Sequence, residues 1–118
     1  MNADAFGLSP RIVELIRQIL AAFPEVEKAV IYGSRAKGTH KPGSDIDLTL
    51  FGEGLTSDIL GRVATRLDDS PIPHTVDLSI YAELNHEKLR EHIARVGVVF
   101  YEREGALPLD KLTDPDIE

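Results

Sequence analysis

Two aspartates separated by one residue, Asp45 and Asp47, lie shortly after a glycine-serine pair, Gly33-Ser34. On a β-strand, alternate side chains share one face, so the two carboxylates would lie together, roughly 6.5–7 Å apart at the backbone. Carboxylates bind Mg²⁺, which completes its octahedron with substrate phosphates. A glycine turn with free backbone N–H groups suits a phosphate chain. The segment therefore predicts a metal-dependent enzyme that acts on a nucleoside triphosphate.

A third carboxylate, Asp77, stands in a second alternating segment, residues 75–80. If that segment is a neighbouring strand, Asp77 lies on the same face as Asp47, about 5 Å away. Three close carboxylates raise one another's pKa, and two metal ions about 3.5–4 Å apart could neutralise them and clamp an in-line displacement. Asp45 alone could be a turn residue, and Asp77 alone an exposed sheet residue. Asp47, however, interrupts an apolar strand in which Asp is disfavoured.

Two cations, Arg35 and Lys37, follow the glycine turn. They are candidates for contact with the β- and γ-phosphates, and Arg35 could bind with two parallel hydrogen bonds. The alternative for both is a solvated loop charge, which suits Lys37 better than Arg35. Gly33 would let the backbone approach a ligand, and Ser34 offers a hydroxyl and an N–H group. The candidate nucleotide-binding residues are therefore Gly33, Ser34, Arg35 and Lys37.

Composition narrows the class of protein. A chain of 118 residues fits one domain, which we place at residues 1–118, with an acidic C-terminal tail from about residue 107 that we expect to be loose. A net charge of −7 argues against binding to long nucleic acids. The absence of cysteine excludes disulfides and thiol catalysis. With neither a signal-peptide pattern nor an apolar run of about 20 residues, we expect a cytoplasmic protein.

Hydrophobic periodicity predicts the order helix, strand, strand, helix, strand, helix, strand. Ser9-Pro10 begins the first helix and Pro24 stops it, a short helical turn follows Gly33, and Gly97 ends the last helix as a C-cap. The fold class is α/β (α+β), a mixed sheet of about four strands with three to four helices packed mainly on one face. The predicted strands span residues 28–32, 45–50, 75–80 and 98–101.

The motif resembles the signature of the minimal nucleotidyltransferases (MNT), small members of the DNA polymerase β-like nucleotidyltransferase superfamily. Gly33-Ser34, ten intervening residues and Asp45-Ile46-Asp47 match in order and context, and the likeness covers roughly residues 10–103. The resemblance implies transfer of a nucleoside monophosphate from a triphosphate to a hydroxyl. It implies that Asp45 and Asp47 hold two Mg²⁺ ions and that Asp77 completes the second site and helps to deprotonate the hydroxyl. Gly33 and Ser34 would hold the triphosphate, neutralised by Arg35 and Lys37.

Small members of this family are often antitoxins, and the resemblance implies a protein partner. The resemblance implies that this partner is a helical HEPN ribonuclease and that the antitoxin transfers AMP from ATP to a tyrosine of that ribonuclease. Two alternatives stay open: a small-molecule acceptor, and an antitoxin that neutralises its partner by binding without catalysis. A zinc site at His86 and His92 is rejected, because a spacing of six places the two on different helix faces. The base preference, the acceptor, the number of nucleotides transferred and any homo-oligomer are not determined by the sequence.

Overall fold

The computed structural model describes residues 6–103, so the predicted C-terminal tail lies outside the described residues. Within that range the chain forms four strands and four helices, in the predicted order. No helix in this range is long and apolar enough to cross a membrane. The elements are α1 (Pro10–Ala21), β1 (Lys28–Tyr32), α2 (Ser34–Lys37), β2 (Ile46–Phe51), α3 (Ser57–Asp68), β3 (Val76–Ile80), α4 (Glu87–Val96) and β4 (Val98–Glu102).

Each of the three longer helices begins at an N-cap residue. The side chain of that residue accepts a hydrogen bond from an N–H group of the first turn, which has no partner within the helix. The Ser9 hydroxyl accepts from the N–H of Ile12 at 3.3 Å and Pro10 occupies the first helical position, so α1 begins where the sequence predicts. Thr56 caps α3 in the same way, at 3.2 Å. His86 caps α4 through its Nδ1 atom. His86 therefore has a structural role as a hydrogen-bond acceptor.

The sheet is mixed, with the strand order β3-β2-β1-β4. β1 runs antiparallel to both β2 and β4, whereas β2 and β3 are parallel. Parallel neighbours need a long crossover connection, and α3 with its flanking loops provides it between β2 and β3. The predicted mixed α+β sheet is confirmed, and β2 and β3 are direct neighbours.

The helices cover both faces of the sheet, which differs from the prediction of one main face. On one face, α1 and α3 pack against Ile31, Leu48 and Leu50, which are fully buried and form the main core. On the other face, Ile93 of α4 packs against Val30 and Tyr32. All five residues of β1 are buried as a result. The sequence pattern of α4 gives its apolar stripe but not the face of the sheet on which it packs.

Gly97 ends α4 as its C-cap, as predicted, but its conformation is extended rather than left-handed. Its φ of −66° and ψ of 144° are open to any residue. The requirement for glycine is steric instead, because an added Cβ would lie 2.7 Å from Cγ1 of Val30 and closer still to the carbonyl oxygen of Ile93. Gly97 therefore allows α4 to pack tightly on β1.

We expect Gly97→Ala to destabilise the protein by about 1–3 kcal/mol, the usual cost of overpacking. Gly61→Ala is the matched control, because Gly61 lies inside α3 and a Cβ there has no atom within 4 Å. The control should stabilise the protein by about 1 kcal/mol through helix propensity. Urea unfolding of both variants measures the two effects. Equal stabilities for Gly97→Ala and wild type would contradict the steric role of Gly97.

Candidate active site

Two of the three aspartates predicted as metal ligands, Asp47 and Asp77, lie on one face of the sheet, at adjacent positions of two strands. Asp47 of β2 pairs in register with Asp77 of β3, as neighbouring residues of a parallel ladder. Adjacent strands are about 4.8 Å apart, so the two side chains leave the sheet side by side. Asp45 lies immediately before β2, two residues from Asp47. Asp45 and Asp77 are exposed and Asp47 is partly buried, so the group opens to solvent.

The electrostatics of this group centre on Asp47. Burial raises the pKa of its carboxyl above the ordinary 3.8, and the negative charges of Asp77 and then Asp45 raise it further. A charge on His92 acts in the opposite direction. The only ion pair within residues 6–103 joins Asp58 to Arg62 on the surface of α3 and includes none of these carboxylates. The cluster is therefore electrostatically strained and suited to an external cation.

Gly33 lies directly beside the Asp47 carboxylate. Its φ of 77° and ψ of −155° fall in a region that is essentially restricted to glycine. A Cβ at this position would also lie 3.3 Å from Cγ of Asp47 and closer to its Oδ2 atom. Two independent constraints thus require glycine here, the backbone conformation and the contact with Asp47. The close neighbour of Gly33 within the described chain is the Asp47 carboxylate, and the approach of the Gly33 backbone to a ligand stays a prediction.

The short helix α2 begins directly at Ser34, as the sequence predicts. The N–H of Lys37 bonds to the carbonyl of Gly33, and Gly38 ends the turn with a left-handed φ of 81°. N–H groups in the first turn of a helix have no intrahelical partners. Ser34 is partly exposed and Lys37 is exposed, so both remain accessible to a ligand. Their assignment to phosphates stays a prediction.

Arg35 lies elsewhere than the prediction placed it. Its side chain is only 2% exposed and points away from solvent into the loop that precedes β2. Its donors bond to the backbone carbonyls of Ser44, Pro42 and Phe6. This placement does not support the predicted contact between Arg35 and phosphates, because the fork is already occupied inside the protein. Burial, and then the charge of Arg35, lower the pKa of His74 beside it.

Polar side chains that were not predicted as site residues lie around Asp47. Tyr32 is the antiparallel neighbour of Asp47, and burial, outweighing a hydrogen bond with Ser79, raises the pKa of its phenol. The Ser79 hydroxyl donates to the hydroxyl of Thr49 at 2.9 Å. The His92 ring of α4 meets the Tyr32 ring edge-on, with centroids 6.2 Å apart. Strand alternation could have indicated Thr49 and Ser79, whereas His92 depends on which face α4 covers.

The donor set fits a hard divalent cation, although a complete cage is not preformed. Among residues 6–103, no three His, Cys, Asp or Glu side chains are gathered closely enough to hold an ion. Mg²⁺ usually needs only one or two carboxylates, with water and substrate phosphates as its other ligands. Asp45 and Asp47 can supply those two carboxylates beside the Gly33 turn. His86, one of the two histidines considered for zinc, uses its Nδ1 atom to cap α4.

Comparison with known proteins agrees with this geometry. Residues 14–106 match the family described as Polymerase beta, Nucleotidyltransferase. A relative in Haemophilus influenzae, named Probable protein adenylyltransferase MntA, is 39% identical over 75 residues, which cover 62% of this chain and 64% of the relative. The chain thus aligns with less than two thirds of that relative's length.

Two solved structures share the fold. One is a crystal structure of a toxin–antitoxin with AMP-PNP, with a TM-score of 0.64 and 21% identity, covering 78% of this chain and 74% of the other. The other is a tri-AMPylated Shewanella oneidensis HEPN toxin in complex with its MNT antitoxin, with a TM-score of 0.53 and 16% identity, covering 80% of this chain and 72% of the other.

The mixed sheet, the glycine turn and the paired aspartates are those of a nucleotidyltransferase. The chain belongs to the polymerase β nucleotidyltransferase family, whose match spans most of its length. The predicted resemblance to polymerase β-like nucleotidyltransferases is therefore confirmed.

We expect Asp47→Asn to raise the melting temperature by a few degrees at pH 7 in buffer with a chelator. The folded-state pKa of Asp47 is raised, so the stabilisation from this group is complete below pH 3.8 and is lost as the pH rises through the folded pKa. Asparagine carries no charge and so avoids that loss of stability. The difference in melting temperature between Asp47→Asn and wild type should therefore disappear near pH 3. Thermal unfolding across this pH range measures it.

Asp58→Asn is the matched control, because Asp58 is exposed and its charge is paired with Arg62 at 3.3 Å. This variant should show no gain in melting temperature at pH 7. A wild-type chain that is more stable than Asp47→Asn at pH 7 without metal would contradict the strain assigned to the carboxylates.

Proposed function

We propose that this protein is the antitoxin of a HEPN/MNT pair, which transfers AMP from ATP to a tyrosine of a HEPN ribonuclease toxin. The observation that carries the proposal is the in-register pair Asp47 and Asp77, with Gly33 packed directly against Asp47. This arrangement has hard oxygen ligands beside a turn with free N–H groups. The similarity to MntA and to toxin–antitoxin complexes supports a protein acceptor.

In the proposed reaction, the tyrosine oxygen forms a bond to the α-phosphorus of ATP, and the bond from that phosphorus to the bridging oxygen breaks. Pyrophosphate leaves with the electron pair of that bond, and the phenolic proton goes to the carboxylate of Asp77. Mg²⁺ held by Asp45 and Asp47, with Asp77 completing the site of a second ion, would supply charge neutralisation of the phosphates. Ser34 and the N–H groups of α2 would hold the triphosphate, and Lys37 would approach it from solvent. The chain's contribution is positioning and fixed charge.

The exposure of the site suits a large acceptor. Asp45 and Asp77 face solvent, so a tyrosine on another protein can approach the carboxylates directly. A cleft of about 610 Å³ lies between Phe23 and the outer face of α3 and includes none of the predicted site residues. A net charge of −7 favours a basic partner surface, which would also speed association. A cytoplasmic location, where ATP and Mg²⁺ are available, is part of the proposal.

The experiment uses ATP labelled at the α- or the γ-phosphate, with Mg²⁺ and the co-expressed HEPN partner. Nucleotidyl transfer places the α-label on the partner and leaves the γ-label in pyrophosphate. The double variant Asp45→Asn/Asp47→Asn should reduce labelling on the order of 1000-fold, because the metal ligands are lost. Asp58→Asn should label normally, since Asp58 lies on α3 outside the site.

The alternatives give different outcomes. Transfer of the γ-label to the partner would contradict nucleotidyl transfer. Unchanged labelling by the double variant would contradict the assignment of Asp45 and Asp47. A wild-type chain that silences the ribonuclease without labelling it would favour neutralisation by binding, and α-label found only on a small molecule would favour the small-acceptor reading.

A further inference from the structure

We infer that Arg35 is a positioning residue, which holds Asp45 in place relative to the Gly33-Ser34 turn through backbone carbonyls. The effect on catalysis rests on the proposed function, whereas the hydrogen bonds of Arg35 do not depend on it. Arg35 follows Ser34 directly in α2, and its guanidinium reaches the peptide that leads into Asp45. The Arg35 side chain therefore links the turn that contains Gly33 and Ser34 to the segment that leads into Asp45.

The hydrogen bonds of Arg35 use both edges of its fork. Nε and Nη2 both donate to the carbonyl oxygen of Ser44, at 3.1 and 3.0 Å. Nη2 also donates to the carbonyl of Pro42 at 3.2 Å, and Nη1 donates to that of Phe6 at 2.9 Å. Three carbonyls from two separate segments thus converge on one planar group. Because the side chain is 2% exposed, these bonds form away from solvent, where an unmade hydrogen bond is costly.

The loop before Asp45 is built around this group. Two hydrogen bonds join Ser44 to Lys41 across a turn. The N–H of Ser44 donates to the Lys41 carbonyl, and the Ser44 hydroxyl accepts from the N–H of Lys41. On the far side of Asp45, the N–H of Ile46 donates to the carbonyl of Thr75 at 2.9 Å. The backbone of Asp45 is therefore fixed from one side by Arg35 and from the other by the residue that precedes β3.

Only arginine can make this arrangement. Its guanidinium is planar and presents five donors in fixed directions, whereas lysine concentrates its charge at one tetrahedral nitrogen. Arg35→Lys keeps the positive charge but cannot reach the three carbonyls together. A ligand of phosphate would tolerate this change better than a carbonyl clamp would. The lysine variant therefore separates the two roles.

The test compares Arg35→Lys with wild type in hydrogen exchange and in transfer kinetics. We expect amide exchange at Thr39 and Ser44 to accelerate at least about tenfold, while amides inside α3 keep their rates. The kcat for AMP transfer should fall on the order of 100-fold, because a misplacement of about 1 Å has that effect. The KM for ATP should hardly change.

Arg17→Gln is the matched control for a lost guanidinium–carbonyl bond. Arg17 Nε donates to the carbonyl of Phe100 at 2.8 Å, between α1 and β4 and away from the site. This variant should lower the melting temperature and leave kcat unchanged. A fall in kcat of equal size in Arg17→Gln and Arg35→Lys would assign the effect of Arg35 to general stability and overturn the inference.

A measurement on the wild-type chain avoids any loss of folding. The Nε–H signal of Arg35 in nuclear magnetic resonance should exchange slowly and stay in place when Mg²⁺ and a non-hydrolysable ATP analogue are added. A rapidly exchanging signal, or one that shifts with the analogue while Arg35→Lys raises only KM, would make Arg35 a phosphate ligand and overturn the inference. If the wild type transfers no AMP at all, the proposed function fails, whereas exchange at Thr39, Ser44 and Arg35 Nε still decides the role of Arg35.

Discussion

Repulsion between two carboxylates at adjacent positions of a parallel ladder is the constraint around which this protein is arranged. The in-register pairing of β2 and β3 places Asp47 beside Asp77, on a face that α4 and the ring of Tyr32 partly shield from water. Burial and like charge both favour the protonated form of Asp47, so the ionised site is less stable than an uncharged one. A bound cation and a phosphate chain would compensate this charge.

The surrounding structure holds the carboxylates in place without adding further negative charge beside them. Gly33 provides a backbone conformation open to almost no other residue and leaves space for the Asp47 carboxylate. Arg35 fixes the entry to β2 with neutral carbonyl partners, so the clamp adds no second carboxylate beside the site. On the opposite face, buried side chains such as Ile31 and Leu48 give the sheet its stability. The main hydrophobic core thus lies on one face of the sheet, and the repelling carboxylates lie on the other.

Much of the fold and part of the site could be predicted from the sequence because they depend on local rules. Alternation in two segments predicts that Asp47 and Asp77 share a face, and the helix begins at Ser9-Pro10 as its capping chemistry requires. Contacts distant in sequence could not be predicted in the same way. The face covered by α4 brings His92 to Tyr32, and nothing local distinguishes a buried Arg35 from an exposed one. Gly97 shows the same limit, because its steric role depends on Val30 in another element.

The carboxylate site and its need for a cation can be tested by calorimetric titration of the wild-type chain with a non-hydrolysable ATP analogue, with Mg²⁺ and then with a chelator. We expect the analogue to bind only when Mg²⁺ is present. Binding should be lost in Asp47→Asn, even though that variant unfolds at a higher temperature, because the charge that destabilises the free protein is the charge that binds the metal. Equal binding with Mg²⁺ and with chelator, or full binding by Asp47→Asn, would contradict a metal-dependent nucleotide site at these aspartates.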